Sequence, residues 1–269
     1  MRGVSGESQA ALLDQVERAI ASDVDLSRLG DDLFAVAGAL DSAPQLRRAL
    51  TDPAAGEQQK GDVARLLFDG KVSGAALDIV VGAVGRRWSR PRDLGDALEQ
   101  AGVEAHAGNA ERNDELDDTE DELFRFGRLV DQNPQLRDAL TDRLAPEPAK
   151  RELVERLLAG KVTDATLHLA EQAVAGRHRS FGVALNEFVK AAAARRQRLV
   201  ATARVAQPLD EATRRRLGDA LSRYYGREIH LNVIVDPEVL GGVRVDIGDE
   251  VIDGTVANRL QDARRRIAG

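Results

Sequence analysis

The sequence predicts a mainly α-helical protein, in which a duplicated helical-bundle N-terminal region is followed by a small C-terminal α/β domain. One stretch of the sequence recurs at a fixed offset, which indicates a duplicated unit. Apolar residues follow helical spacing before Arg198 and alternate, as in β-strands, after it. These observations place the two helical units at 1–110 and 111–198 and the α/β domain at 199–269.

The internal repeat pairs residues 33–87 with residues 123–177, at an offset of 90 positions and without a gap. In these 55 pairs, 23 residues are identical, which exceeds what a shared helical composition would give. The most similar segments run from Pro44 to Asp52 and from Pro134 to Asp142. Two copies are too few for a free-standing solenoid, so we expect paired helical bundles.

The apolar positions within each copy recur at helical spacing. The first helix is predicted from one apolar stripe, made of Leu12, Leu13, Val16, Ala19 and Ile20. Pro44 and Pro134 are each expected at the first position of a short helix, directly after the end of the preceding helix. Gly160 follows the stripe of another helix and fits the residue just past a helix C-terminus. That stripe contains Leu153, Val154, Leu157 and Leu158.

An acidic stretch from Glu111 to Glu122 joins the two copies. Its carboxylates could be imagined to bind a metal ion, but the EF-hand spacing, with a central glycine and a terminal glutamate, is absent. We therefore interpret the stretch as a solvated acidic helix face that leads into Leu123.

The C-terminal region mixes short strands with helices. Asp210 is predicted to cap a helix that ends at Gly226, and Thr255 to cap a last helix. The apolar face of the first of these helices is predicted to hold Leu217, Ala220, Leu221 and Tyr224. Strands are predicted at 199–205, 229–235, 243–247 and 251–252. The pattern fits a small α/β unit of about 70 residues.

Composition excludes several classes of function. The chain has no cysteine, so disulfide scaffolds, iron–sulfur sites and thiol nucleophiles are ruled out. A net charge of −7 argues against a nucleic-acid binder held by bulk charge. No apolar run approaches the roughly 18 residues that cross a bilayer, and the first ten residues lack a signal-peptide core. We therefore expect a soluble, cytosolic protein.

Groups that could carry chemistry are few, and we expect no catalytic, cofactor-binding or metal-binding residues. Gly241-Gly242 lacks the pattern of a phosphate-binding loop and is interpreted as a turn that needs backbone freedom. The histidines, which show no metal-binding spacing, are His106, His168, His178 and His230. The carboxylates around the last turns are interpreted as structural; they are Asp246, Asp249, Glu250 and Asp253.

A basic corner is left with two interpretations, a solvated loop or a contact with an acidic partner. It combines His178 and its flanking arginines with a segment of the first copy, Arg86-Arg87-Trp88.

The C-terminal residues carry a specific signature. Residues 232–249 read NVIVDPEVLGGVRVDIGD, and residues 251–260 read VIDGTVANRL. An alternating strand, an acidic turn, Leu-Gly-Gly, a second strand and Ile-Asp-Gly-Thr follow one another. This arrangement closely resembles the C-terminal signature of the delta subunit of F-type ATP synthases, whose mitochondrial counterpart is the oligomycin-sensitivity-conferring protein. The resemblance is clear from about Leu123 to Gly269.

The resemblance implies a mechanical function without an active site or cofactor. A delta subunit belongs to the peripheral stalk, at the cytoplasmic face of the bacterial membrane. Its helical part binds alpha subunits of the alpha/beta headpiece, and its C-terminal domain engages the b subunit, so that proton-driven rotation is coupled to ATP synthesis. It touches the membrane only through the complex. The motif positions carried over, as fold-shaping residues, are Asp236, Gly241, Gly242, Asp253 and Gly254.

Two departures from the family pattern matter. The usual N-terminal helix motif is missing, with Gln9–Asp14 as the nearest stretch, and this chain has two helical units where ordinary members have one. It therefore looks like a longer, duplicated form, and either copy could meet the alpha subunits. Two other classes stay open: a stand-alone helical-repeat adaptor, and a small-molecule hydrolase or transferase that uses Asp249 and Glu250.

Overall fold

The computed structural model describes residues 3–142, 144–175, 180–198, 200–225, 229–236, 239, 241–247 and 250–254. The chain separates into two compact units, Met1–Ala192 and Ala193–Gly269. The predicted fold class is confirmed, since the described residues form helices throughout the first unit and a small mixed sheet in the second.

The helices of the first unit follow the repeat. The first copy contains α1 (Val4–Ile20), α2 (Leu26–Ser42), α3 (Pro44–Thr51), α4 (Glu57–Phe68), α5 (Gly74–Gly85) and α6 (Pro91–Arg112). The second contains α7 (Leu116–Gln132), α8 (Pro134–Thr141), α9 (Glu147–Leu158), α10 (Asp164–Ala173) and α11 (Phe181–Arg198).

The local signals in the repeats are confirmed. Pro44 and Pro134 each occupy the first position of a helix. Gly160 follows α9 with a φ of 70°, and Gly70 has the same φ at the matching point of the first copy. Leu12 and Val16 are fully buried on α1.

The acidic stretch is less solvated than predicted. Glu122 Oε2 accepts hydrogen bonds from the backbone N of Thr163 at 2.9 Å and from Thr166 Oγ1 at 2.7 Å, at the start of α10. Asp32, its partner in the repeat, accepts from the backbone N of Ser73 at 2.7 Å, at the start of α5. Both copies thus fix a helix N-terminus with a carboxylate from a distant helix, where unpaired N–H groups need an acceptor.

The two copies pack on each other, a point that the sequence left open. α6 packs along α2 and also against α7 and α10. Phe34 and Val103, from the first copy, belong to the buried cluster that otherwise consists of second-copy residues such as Leu123 and Leu169. The other cluster of the first unit lies within the first copy and includes Leu33 and Leu98.

The second unit holds β1 (Val200–Val205), α12 (Glu211–Tyr225), β2 (His230–Val235), β3 (Val243–Ile247) and β4 (Glu250–Asp253). The strand order is β2-β1-β3-β4; β1 pairs in parallel with β2, and the other pairs are antiparallel. Asp210 caps α12 as predicted, accepting from the backbone N of Thr213 at 2.6 Å. The predicted last helix after Thr255 lies outside the described residues.

Two predicted faces of this unit are wrong in part. Ala220 is exposed and Tyr224 is 76% exposed. Tyr225 packs against the core in place of Tyr224, and its hydroxyl donates to Glu250 Oε2 at 2.6 Å. Val235 is exposed although the alternation places it inside, because it ends β2, the edge strand of the sheet.

Candidate functional sites

The glycine pair of the C-terminal signature lies directly before β3. Gly241 and Gly242 both have a φ of 86°, in the region that L side chains rarely adopt. The backbone N of Gly241 donates to the carbonyl of Val239 at 2.8 Å, which closes a tight turn.

The other signature positions lie where strands end. The backbone N of Asp236 donates to the carbonyl of Val205 at 2.8 Å, beyond the last pair of β1 and β2. Asp253 pairs with Arg244 in the β3–β4 register. The backbone N of Gly254 donates to the carbonyl of Val243 at 2.9 Å, and a Cβ on Gly254 would lie 3.1 Å from that oxygen. These positions all lie at strand ends or turns of the sheet, and their role in shaping the fold stays a prediction.

Two of the carboxylates near the last turns, Asp246 and Glu250, make local contacts. Asp246 accepts from Arg204 Nε at 3.3 Å, across the neighbouring strand β1, and from Arg244 Nε at 3.2 Å, two residues away on the same strand. Glu250 accepts from Tyr225, as described above. Asp249, one of the two residues of the hydrolase hypothesis, and the side chain of His230 lie outside the described residues.

Part of the first-copy half of the basic corner, Arg86-Arg87-Trp88, lies in the buried core. Trp88 is buried, and its Nε1 donates to the carbonyl of Ala83 at 2.9 Å. Lys60 is buried nearby, with Nζ 3.4 Å from the carbonyl of Arg86, and burial lowers the pKa of its ammonium group. His178 and its flanking arginines lie outside the described residues.

A polar cluster at the junction of the two copies was not predicted. Asp31 on α2, His106 on α6 and His168 on α10 each present a side-chain oxygen or nitrogen, all within 4.8 Å of one another. Asp31 Oδ1 lies 2.9 Å from His168 Nδ1 and 3.3 Å from His106 Nε2. The two imidazole rings stack with centroids 5.0 Å apart, and Phe34 stacks on the other side of His106 at 5.3 Å.

The environment of the cluster shifts the pKa of each of the three side chains, and not all in the same direction. Burial lowers the pKa of His106, which is fully enclosed, and the carboxylate of Asp31 opposes that effect only in part. Contact with the same carboxylate raises the pKa of His168. Partial burial alone would raise the pKa of Asp31, but the two histidines outweigh it and hold that pKa well below its ordinary value. Asp31 is therefore a carboxylate at neutral pH.

No local motif could have revealed this cluster, because its members lie on three helices far apart in the sequence. One weak signal in the sequence is the run of small residues around His106, with Ala105 and Ala107 on either side, which is typical of a closely packed helix.

The architecture is that of a protein with paired helical repeats and a small mixed α/β unit. The side chains that the structure describes are engaged mainly in packing, helix caps and turns. The comparison with known families makes this specific. Residues 103–267 match the sequence profile of the ATP synthase delta (OSCP) subunit. The chain belongs to this family, and it is a non-catalytic subunit of the peripheral stalk of F-type ATP synthase.

Full-length relatives share the long form. The ATP synthase subunit delta of Streptomyces avermitilis is 49% identical over 268 residues, covering 99% of this chain and 98% of the relative. The subunit delta of Parafrankia sp. is 50% identical over 275 residues, covering 98% of this chain and 99% of the relative. The duplicated helical region is therefore shared with these proteins. Among the described helices, none is long and apolar enough to span a membrane.

Proposed function

We propose that this chain joins the alpha/beta catalytic headpiece to the b subunit, at the cytoplasmic face of the bacterial cell membrane, so that proton-driven rotation yields ATP. The observation that carries the proposal is the match to subunit delta along nearly the whole chain, at 49% identity. The helical repeats are assigned to the alpha subunits and the α/β unit to the b subunit, with the functional division at 1–110, 111–198 and 199–269.

The architecture supports this division of labour. The repeats and the sheet have separate buried clusters, so each can present its own surface to a partner.

The decisive experiment is a bridging assay. Purified headpiece and a soluble segment of the b subunit are run together on a sizing column, with and without this chain. We expect the b segment to co-elute with the headpiece only when the full chain is present. A chain that ends at Arg198 should bind the headpiece without retaining the b segment.

Two other outcomes of the assay would contradict the proposal. Retention of the b segment by the chain ending at Arg198 would place the b contact in the repeats. A full chain that does not bind the headpiece would refute the proposed bridge. Deleting residues 1–110 is a poor probe, because Phe34 and Val103 complete the buried cluster of the second copy.

A further inference from the structure

The cluster of Asp31, His106 and His168 contains a buried group without a hydrogen-bond partner. Neither ring nitrogen of His106 makes a well-formed hydrogen bond, although the side chain is fully buried. Buried polar atoms in native proteins almost always have a partner, and an ion is one of the partners that explains an apparent exception. The contact at 3.3 Å with Asp31 is close but lacks hydrogen-bond geometry.

We propose that Asp31, His106 and His168 bind a divalent transition-metal ion of the Zn²⁺ type at the junction of the two helical copies. Two imidazole nitrogens and one carboxylate oxygen form a donor set that suits this class of ion. Mg²⁺ and Ca²⁺ prefer oxygen donors, so they fit this site poorly.

The separations of the donor atoms are consistent with one shared ion. Bonds of about 2.0–2.1 Å in a tetrahedral site place neighbouring donors about 3.3 Å apart. The two nitrogens lie 3.3 Å and 2.9 Å from Asp31 Oδ1. The imidazole planes differ by only 16°, so the ring of His168 must turn to direct its lone pair at the ion. Its side chain is 31% exposed, which leaves room for that movement.

An open cleft gives an ion access to the cluster. The cleft has a volume of about 400 Å³, and Asp31 and His168 form part of its wall. Glu171, one helical turn after His168, lines the same cleft and adds a carboxylate to its wall. Arg151 also lines it, but its charge is offset by Glu147, whose carboxylate lies 2.9 Å from Arg151 Nη2.

An ion at this position would tie the copies together. Its ligands come from α2 in the first copy, from α6, and from α10 in the second copy. Because a ligand that binds the folded state stabilises it by mass action, occupancy should raise the unfolding temperature of the first unit. The proposal is independent of the bridging function.

The test uses the full chain, stripped with a chelator and titrated with Zn²⁺, with thermal unfolding and calorimetry as readouts. Co²⁺ provides a spectroscopic check through the visible absorption of a tetrahedral site. His168→Ala and Asp31→Ala, both at partly exposed positions, should each weaken binding by at least about tenfold. Asp121→Ala is the matched control, because Asp121 occupies the position of Asp31 in the second copy and pairs with Arg125.

The proposal is supported if Zn²⁺ raises the unfolding temperature in a saturable way, if this rise persists in Asp121→Ala, and if it is smaller in His168→Ala and Asp31→Ala. Circular dichroism checks that the two ligand variants still fold. An absent shift would overturn the proposal and leave the cluster as an ion pair between Asp31 and His168. A shift of equal size in the ligand variants would also overturn it, because the ion would then bind elsewhere. An equal response to Mg²⁺ would contradict the assigned class of metal.

Discussion

At the scale of single residues, the turn before β3 depends on a backbone conformation that favours glycine. Gly242 has a φ of 86°, so Gly242→Val should cost about 1–3 kcal/mol in free energy of unfolding. Gly218→Ala is the control within the same unit, because Gly218 lies in α12 and a Cβ there meets nothing within 4 Å. Urea unfolding should show a loss for the first variant and a small gain for the second. Equal stability of Gly242→Val and the parent chain would refute the conformational argument.

Asp93 gives a second prediction at this scale. Burial alone would raise the pKa of Asp93, but hydrogen bonds from Ser5, at 2.7 Å, and from Arg90 outweigh it and lower that pKa. Its ordinary value is 3.8, so the stabilisation is complete above about pH 4 and is lost as the pH falls through the lowered pKa. Asp93→Asn should therefore cost about 1–3 kcal/mol at pH 7, and less at pH 3.

Unfolding midpoints measured between pH 3 and pH 7 test whether the destabilisation by Asp93→Asn becomes smaller as the pH falls. Asp96→Asn is the control on the same helix, since Asp96 forms a looser ion pair with the exposed Arg92 at 3.6 Å. A pair of that kind contributes at most about 1 kcal/mol. A cost of Asp93→Asn that grew towards low pH would contradict the argument.

At the scale of helices and strands, the close packing of α2 on α6 depends on small residues. A Cβ on Gly102 would lie 2.5 Å from Phe34 Cε1 and 3.1 Å from the carbonyl oxygen of Gly30. Gly102→Val should thus push the helices apart and cost about 1–3 kcal/mol. Gly38→Ala on α2 is the control, because a Cβ there meets nothing within 4 Å, and it should be neutral or slightly stabilising. Chemical unfolding of both variants measures the difference.

The same scale shows how far sequence reasoning reaches. Helix ends at Pro44 and Pro134 were predictable because the signal lies within a few residues. The face of α12 was misassigned at Tyr224 because the hydroxyl of Tyr225 finds a carboxylate on β4, a contact between segments distant in sequence. The metal-ligand candidates were missed for the same reason, since Asp31, His106 and His168 meet only after three helices pack. The roles of Asp236 and Asp253 as signature positions stay predictions.

At the scale of the whole molecule, the residues that the structure describes form buried clusters of very different size in the two units. Among the described residues, the cluster of the α/β unit has six buried side chains: Ala201, Ala203, Leu221, Ile229, Val245 and Ile247. A small core stabilises its unit less than a large one, because less apolar surface is removed from water. Thermal unfolding of the full chain should therefore proceed in two steps, with the α/β unit melting first.

The variants above assign the two steps. Gly242→Val should lower only the first midpoint and Gly102→Val only the second, because each substitution disturbs one buried cluster. Differential scanning calorimetry, combined with the fluorescence of Trp88 in the first unit, follows the steps separately. A single transition in which both variants lower the same midpoint would show that the chain unfolds as one cooperative body. In that case the repeats and the α/β unit would be separate in packing only, and they would unfold together with one free energy of unfolding.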